Sequence, residues 1–157
     1  MKNFAIFLLV FLLFNLYCTN DYREISQKDF YLRIPKDFKH FNLIDSAIVQ
    51  YADTAKGIYC ALESTSVNTY SPSIEKAVDT LLTLGFFYVE NLKKNKKIIN
   101  QDTLYYLSFV EYDTGMPFYW NIVVGRKKSK YFILWVWHTR KESHNITEQI
   151  VNSFRLK

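Results

Sequence analysis

Hydrophobic positions along residues 30–157 repeat with two different periods, and the change of period separates strands from helices. Alternating or short continuous apolar runs predict strands. The predicted strands are 30–34, 47–52, 57–67, 97–100, 104–112, 118–125 and 131–138. The last four are joined by short links, which predict an antiparallel meander, because parallel strands need long crossover connections.

Two segments repeat with helical spacing. The first begins with Ser71 as N-cap and Pro72 in the first helical position, and its apolar stripe continues to Val89. We expect this helix to end near Lys94, because cations favour the C-terminus of a helix. The second helix is predicted over residues 143–154, where apolar residues again share one face.

The strands at 118–125 and 131–138 are apolar on both faces. Such strands belong in a sheet that is covered on both sides, and a single helix covers only one of them. The sequence therefore predicts an α+β protein in which a central antiparallel β-sheet has helices on both faces.

The N-terminus has the layout of a secretory signal. Lys2 is followed by an apolar run from Phe4 to Phe14, which is shorter than the roughly 20 residues of a membrane-spanning helix. We assign residues 1–17 to a signal peptide, residues 18–29 to a modified cysteine and a short polar tether, and residues 30–157 to the folded domain.

Cys18 closes this leader, and the arrangement resembles the bacterial lipoprotein signal, in which such a cysteine receives lipid. The match departs from the usual pattern at Asn15 and Tyr17. Lipidation of Cys18 would hold the protein on a membrane. An uncleaved anchor and soluble secretion are the alternatives, and all three place the protein outside the cytoplasm or at its boundary.

Composition narrows the class of protein. The chain has 157 residues, 18% of them aromatic, and a net charge of +5, which predicts one folded domain and excludes a disordered chain. Its two cysteines exclude a disulfide scaffold. Cys60 shares a predicted strand face with Ile58 and Leu62, which favours a buried, inert thiol. Without lipidation, a Cys18–Cys60 disulfide is the alternative.

The motifs of common enzymes are absent from the sequence. It has no Gly-x-Ser-x-Gly elbow, and its four glycines form no phosphate-binding loop. His138, Glu142 and His144 lack the regular spacing of metal ligands, so solvated residues at a turn are the favoured interpretation over a zinc site. We therefore predict no catalytic residue, no metal and no cofactor.

Basic residues cluster in two runs, 93–97 and 126–130. Solvated turns at the ends of elements explain them, and contact with anionic lipid headgroups is the alternative. Nucleic acid is not an expected partner, because an exported protein does not meet it.

Aromatic residues are the best candidates for a binding surface. Tyr and Trp side chains that remain exposed are typical anchors for a protein partner. The candidates in the meander are Tyr119, Trp120, Trp135 and Trp137.

Two short segments resemble a known family. Phe30-Tyr-Leu-Arg-Ile-Pro35 resembles the first strand and proline of PsbP-like and Mog1-like (DcrB-type) domains, and Gln149-Ile-Val-Asn-Ser-Phe154 resembles their C-terminal helix. The order of strands, long helix, meander and final helix is similar too. The resemblance implies an α/β/α sandwich, and it implies a binding module because most members of the family are not enzymes.

We therefore expect a non-enzymatic lipoprotein of the bacterial cell envelope that binds or assembles another envelope protein. The alternative is a binder of a small apolar ligand or lipid, with a cavity between the sheet and the long helix.

Overall fold

A computed structural model describes residues 21–157 of the chain. The signal peptide predicted at 1–17 and the lipidation predicted at Cys18 lie outside the described residues.

Ten strands and three α-helices make up the described part. The strands are β1 (Tyr22–Ser26), β2 (Phe30–Pro35), β3 (Lys39–His40), β4 (Ala47–Asp53), β5 (Ile58–Ser66), β6 (Val89–Ile99), β7 (Asp102–Asp113), β8 (Met116–Lys127), β9 (Lys130–His138) and β10 (Arg155–Leu156). The helices are α1 (Val67–Tyr70), α2 (Ile74–Gly85) and α3 (His144–Ser153), and a 3₁₀ turn (Lys141–Ser143) precedes α3.

The strands form two antiparallel sheets. The larger sheet has seven strands in the order β3-β4-β5-β9-β8-β7-β6, and the smaller has three in the order β1-β2-β10. Strands β6 to β9 pair with their neighbours in chain order, which confirms the predicted meander. The predicted α+β class is confirmed, since a mostly antiparallel sheet carries α2 on one face and α3 on the other.

Each face of the large sheet has its own core. On one face, the buried α2 residues Ala77, Val78 and Leu81 pack against residues of β7, β8 and β9, such as Leu107 and Ile122. Because α2 is amphipathic, only this stripe of apolar residues is buried against the sheet. Side chains of one short helix therefore cover the part of this face that lies under α2.

The opposite face is closed by the small sheet together with α3. Phe30, Leu32 and Ile34 alternate along β2 and all point into this core, where Ile150 and Val151 of α3 meet them. Alternate apolar residues of β2 share one face because the side chains of a strand alternate in direction. The small sheet thus acts as a third layer beside α3.

The long helix ends earlier than the sequence predicts. Its N-cap is Ser73, whose hydroxyl accepts from the Lys76 N–H, and it ends at Gly85 rather than near Lys94. Phe86 has an extended backbone (φ −140°, ψ 137°), and β6 begins three residues later. Gly85 is a poor helix former, and the aromatic and β-branched residues that follow it favour a strand. The backbone therefore changes from helix to strand at this point. The predicted strand 97–100 is only the end of β6.

The predicted tether at 18–29 is wrong for Tyr22–Ser26, which form β1. This segment pairs with β2 in a register that places Tyr22 opposite Pro35 and Ser26 opposite Tyr31. Tyr22 and Ile25 are its only large apolar residues, so hydrophobic alternation alone is too weak to show it. Backbone pairing with a buried neighbour stabilises the strand instead. The short strands β3 and β10 escape a periodicity analysis for the same reason.

Gly125 allows the C-terminus to pack against the large sheet. A Cβ atom at this position would lie 2.5 Å from Leu104 Cδ2 and 2.9 Å from Leu156 Cδ1. Both distances are too short for carbon atoms, so a side chain here would push β10 away from β8. The absence of a side chain at Gly125 therefore permits the close approach of the two sheets.

Leu81 and Leu84 provide a matched test of the core under α2, since they lie on the same helix and are 3% and 73% exposed. We expect Leu81→Ala to lower the free energy of unfolding by about 2–5 kcal/mol, because it removes buried methyl groups and leaves a cavity. Leu84→Ala should change it by less than about 0.5 kcal/mol. Urea denaturation followed by circular dichroism measures both values. Equal losses would show that α2 does not pack as described.

Candidate functional site: an aromatic row and an apolar rim

Four aromatic side chains form a continuous row across the large sheet, on the face that carries α2. They are Phe109 of β7, Trp120 of β8, Trp137 of β9 and Tyr59 of β5, and each lies directly opposite the next in the strand register. The ring centroids are 6.4 Å apart for Phe109–Trp120 and 5.1 Å apart for both Trp120–Trp137 and Tyr59–Trp137. We call these four residues the aromatic row.

Carboxylates fix the orientation of two tryptophans. The indole N–H of Trp120 donates to Glu111 Oε2 at 3.0 Å, and that of Trp135 donates to Glu63 Oε2 at 2.6 Å. Phe86, the residue after α2, packs on both indoles with centroid distances of 5.1 and 6.2 Å. These contacts hold both half-buried rings in place, because hydrogen bonds to charged acceptors are stronger than neutral ones.

The four aromatics predicted from the sequence do not share one surface. Trp120, Trp135 and Trp137 lie on the α2 face, and Trp137 is only 7% exposed. Tyr119 lies on the other face, where its ring stacks on His138 at 4.9 Å with an interplanar angle of 10°. The three tryptophans therefore lie on the α2 face, beneath the candidate partner-binding surface. Tyr119 is not part of that surface.

Large apolar side chains are exposed beside the row. Phe87 is 85% exposed and Tyr88 is 74% exposed, in the link between α2 and β6. We define the apolar rim as the exposed residues Leu84, Phe87, Tyr88 and Met116. The link reaches β7 where Val89 pairs with Glu111, and the β7–β8 hairpin follows at once, so all four lie at one end of the sheet.

The sequence pattern does not predict this rim, because residues 86–89 continue the predicted helical stripe. A helical stripe would have turned Tyr88 and Val89 towards the core. The signal that identifies the rim is the change from helical to strand-forming residues after Gly85.

The described chain begins at this same end. The Asp21 carbonyl accepts from the Lys36 N–H at 2.8 Å, and the neighbouring Asp37 forms an ion pair with Lys56 at 2.9 Å. Lys56 lies in the turn before Ile58, whose backbone is opposite His138. We call this end of the sheet the entry end, because the described residues begin there.

His138 is buried, which corrects its interpretation as a solvated turn residue. It is 0% exposed, its Nδ1 lies 2.7 Å from the Arg140 carbonyl oxygen, and its Nε2 is buried without a hydrogen-bond partner in the described residues. Since a carbonyl only accepts, Nδ1 carries a proton, and the unpartnered Nε2 favours the neutral form of the ring. Burial lowers the pKa of the imidazole, because a charge at Nε2 would lack solvation.

Metal and thiol chemistry receive no support from the described residues. His138 and His144 have ring centroids 5.9 Å apart, yet residues 21–157 contain no group of three side chains that could hold a metal ion. Cys60 is a free thiol, 2% exposed, and burial raises its pKa to about 12. It is therefore protonated at neutral pH and unsuited to act as a nucleophile.

Buried side chains occupy the core between the large sheet and α2, where the alternative hypothesis places its cavity, and a cleft of about 240 Å³ opens at the start of α2 beside Ile74. Between the large sheet and α2 lie the packed side chains of Val78 and Leu81, Leu107, and Ile122. Clefts of about 470 and 550 Å³ open elsewhere in the described part, beside β1, β2 and α3. The space under α2 therefore does not favour a small apolar ligand.

The basic run 93–97 lies on the edge strand β6 and not in a turn. Lys94 pairs with Asp79 at 2.8 Å and Lys96 with Glu75 at 3.4 Å, so both reach back to α2. A hydrogen bond from Tyr105 to Glu75 contributes most to lowering the pKa of that carboxyl to about 2. The second run, 126–130, does surround a turn, between β8 and β9.

Buried neutral His138 makes stability depend on pH. In the unfolded chain its pKa is about 6.5, and in the fold it is lower, so the unfolded state binds more protons as the pH falls through this range. We expect the free energy of unfolding to fall between pH 7 and pH 5, and His138→Gln to reduce this dependence. Urea denaturation at both pH values measures it, with exposed His40→Gln as the control. A His138→Gln slope equal to that of the unchanged chain would contradict the argument.

Comparisons with known proteins identify the fold. No protein-family model matches the chain. No curated protein matches it in sequence. Among solved structures, it is similar to the cyanobacterial PsbP (CyanoP) of Synechocystis, with a TM-score of 0.64 and 9% identity over 88% of this chain and 94% of the other.

Two further structures are similar. LpqN of Mycobacterium tuberculosis, described as involved in cell envelope biogenesis, has a TM-score of 0.54 and 9% identity over 87% of this chain and 90% of its own. A protein of Bacteroides thetaiotaomicron has a TM-score of 0.54 and 12% identity over 82% of this chain, which spans 45% of that longer protein. Within residues 21–157, no helix has the length and apolar character to cross a bilayer. The described part of this chain has the PsbP-like/Mog1-like fold, as the sequence resemblance predicts.

Proposed function

We propose that this chain is a non-enzymatic protein of the bacterial cell envelope that uses the apolar rim to bind another envelope protein. The observation that carries the proposal is the exposure of Leu84, Phe87 and Tyr88, which are 73%, 85% and 74% exposed. Soluble proteins rarely leave several large apolar residues in one exposed patch, and such patches mark sites of interaction. Aromatic residues are the usual anchors at these sites.

The aromatic row makes the rim a suitable anchor point. Phe86 is buried against Phe109 and Trp120, with centroid distances of 4.7 and 5.1 Å. Its two successors, Phe87 and Tyr88, therefore project from a residue that is fixed in the core. Because the backbone at these residues is already ordered, binding a partner costs little conformational entropy, and this favours affinity.

Attachment to a membrane through Cys18 would bring the rim close to the bilayer. Two residues, Thr19 and Asn20, separate Cys18 from Asp21, so the three residue-to-residue steps between them span at most about 11 Å. The rim lies at the entry end, where Asp21 lies too. We therefore place the partner at the membrane surface, beside the anchor.

The envelope location rests on two separate observations. The leader has the layout of a secretory signal that ends in a cysteine, and LpqN, which has the same fold, is described as involved in cell envelope biogenesis. The neutral, buried His138 and the protonated thiol of Cys60 favour a role without catalysis.

Intact mass spectrometry of protein purified from the membrane fraction tests the anchor. We expect the mass of residues 18–157 plus acyl chains, and we expect Cys18→Ala to lose the acyl mass because the acceptor thiol is gone. An unmodified mass that includes Met1 would show an uncleaved anchor. An unmodified mass without the leader would show soluble secretion, and either result would end the lipoprotein assignment.

Photo-crosslinking in cells tests the partner surface. A benzophenone amino acid at Phe87 should give a protein adduct of one defined mass, and Tyr88→Asp in the same chain should suppress it, because a charge there opposes apolar contact. Ile98 is the matched control position, since it is 71% exposed and lies at the far end of β6.

Adducts of equal yield at both positions would indicate random collision and contradict the proposal. Adducts to lipid alone at Phe87 would show that the rim contacts the bilayer and not a protein.

A further inference from the structure

A polar cleft lies on the outer side of the small sheet, away from the aromatic row. It has a volume of about 470 Å³, within the range of small-molecule sites. Its walls include Tyr22, Tyr31, Arg33, Gln149, Asn152 and Arg155. The cleft thus contains two guanidinium groups, two phenols and two carboxamides.

The strand register explains why these polar groups meet. Leu32 points into the core, so its neighbours Tyr31 and Arg33 point outwards. Arg155 of β10 lies opposite Tyr31, and Tyr22 of β1 lies opposite Pro35, so all of them share the outer face. The α3 residue Ser153 closes one side, since its hydroxyl accepts from the backbone N–H of Arg33 at 2.9 Å.

Arg33 has no acceptor for its side chain among residues 21–157. Its guanidinium lies over the Tyr22 ring at 5.3 Å, and its Nε is buried without a hydrogen-bond partner. Guanidinium donors normally pair with carboxylate, phosphate or carbonyl oxygens, and an unpaired buried donor is costly. The cleft therefore contains a positively charged guanidinium whose hydrogen-bond donors have no acceptor within the described residues.

Arg155 adds a second cation to the same wall. The hydrogen bond that its side chain makes within the described residues goes to the carbonyl of the preceding residue, Phe154. Glu24 lies opposite Arg33 on the same face, but its Oε1 accepts from Tyr31 at 2.7 Å. Within the described part, neither arginine forms an ion pair.

We propose that this cleft binds a phosphate group, with Arg33 and Arg155 as its charged ligands and Asn152 and Gln149 as polar neighbours. Two planar guanidinium forks supply more donors than one carboxylate can accept, and a phosphate offers more acceptor oxygens in a tetrahedral arrangement. The cation–π contact with Tyr22 holds the Arg33 guanidinium in position before the ligand arrives.

Two sources of phosphate fit the position of the cleft. Tyr22 follows Asp21, the first described residue, so the cleft lies near the start of the described chain. The headgroup of an anionic phospholipid would reach it from a membrane, and a soluble phosphate ester would reach it from solution. The phosphate chemistry is common to both, and the experiment separates them.

The test uses the full chain in detergent micelles and follows the arginine Nε–H signals of Arg33 and Arg155 by NMR. The probes are inorganic phosphate, glycerol phosphate, short-chain phosphatidylglycerol and, as the carboxylate comparison, acetate. We expect saturable shifts with the three phosphate compounds and weaker binding of acetate. Tighter binding of phosphatidylglycerol than of glycerol phosphate would identify a lipid headgroup, and equal binding would identify a soluble ester.

Variants separate the site from general attraction to positive charge. Arg33→Gln and Arg155→Gln should each weaken phosphate binding by about tenfold or more, because each removes a charge-assisted hydrogen bond. Arg140→Gln is the matched control, since Arg140 is exposed and does not line the cleft. Glu24→Gln should strengthen binding, because it removes a negative charge from the same face. Thermal unfolding confirms that each variant is folded.

Absence of saturable shifts with all phosphate probes, or equal losses in Arg33→Gln and Arg140→Gln, would overturn the inference. Neither outcome affects the apolar rim, because crosslinking at Phe87 does not depend on the cleft.

Discussion

Strands β8 and β9 carry large apolar side chains on both faces, and each face has to be kept from water. At about 25 cal/mol per Å² of apolar surface, this requirement outweighs the preferences of the surrounding segments. It explains why α2 packs on one side, why the small sheet and α3 pack on the other, and why Gly125 has no side chain where β10 approaches. The remaining elements are arranged around this double-sided sheet.

The aromatic row follows from a difference in length. A 12-residue helix is about 18 Å long, whereas a 12-residue strand such as β7 spans about 40 Å. Helix α2 therefore cannot cover the whole sheet, and its coverage stops where Phe86 leaves the helix. Beyond that point the stacked rings of Trp120, Trp137 and Tyr59 bury the apolar surface of the sheet. The apolar rim lies at the boundary of this partly covered region.

Hydrophobic periodicity was sufficient to predict the meander, the final helix and the two-sided sheet, because buried strands and amphipathic helices repeat strongly. Periodicity does not predict β1, because backbone pairing holds that strand and few of its residues are apolar. It also does not locate the end of α2, because the helical period changes to the strand period within a few apolar residues after Gly85. The candidate site lies at such a change. Residue types alone make the tryptophans candidates, but only tertiary structure shows that Tyr119 points to the other face and that Phe87 is exposed.

Within residues 21–157, strand β6 ends the large sheet, and its eleven residues have no strand neighbour on their outer edge. Such an edge invites another chain to add a strand, and lysines are a common protection. Here Lys94 and Lys96 are held towards α2 by its acids, and Lys97 lies over Tyr106 at 4.4 Å on the other face. Two copies meeting edge to edge would bring like charges together on both faces. These lysines therefore oppose the addition of β6 from a second copy to the same edge.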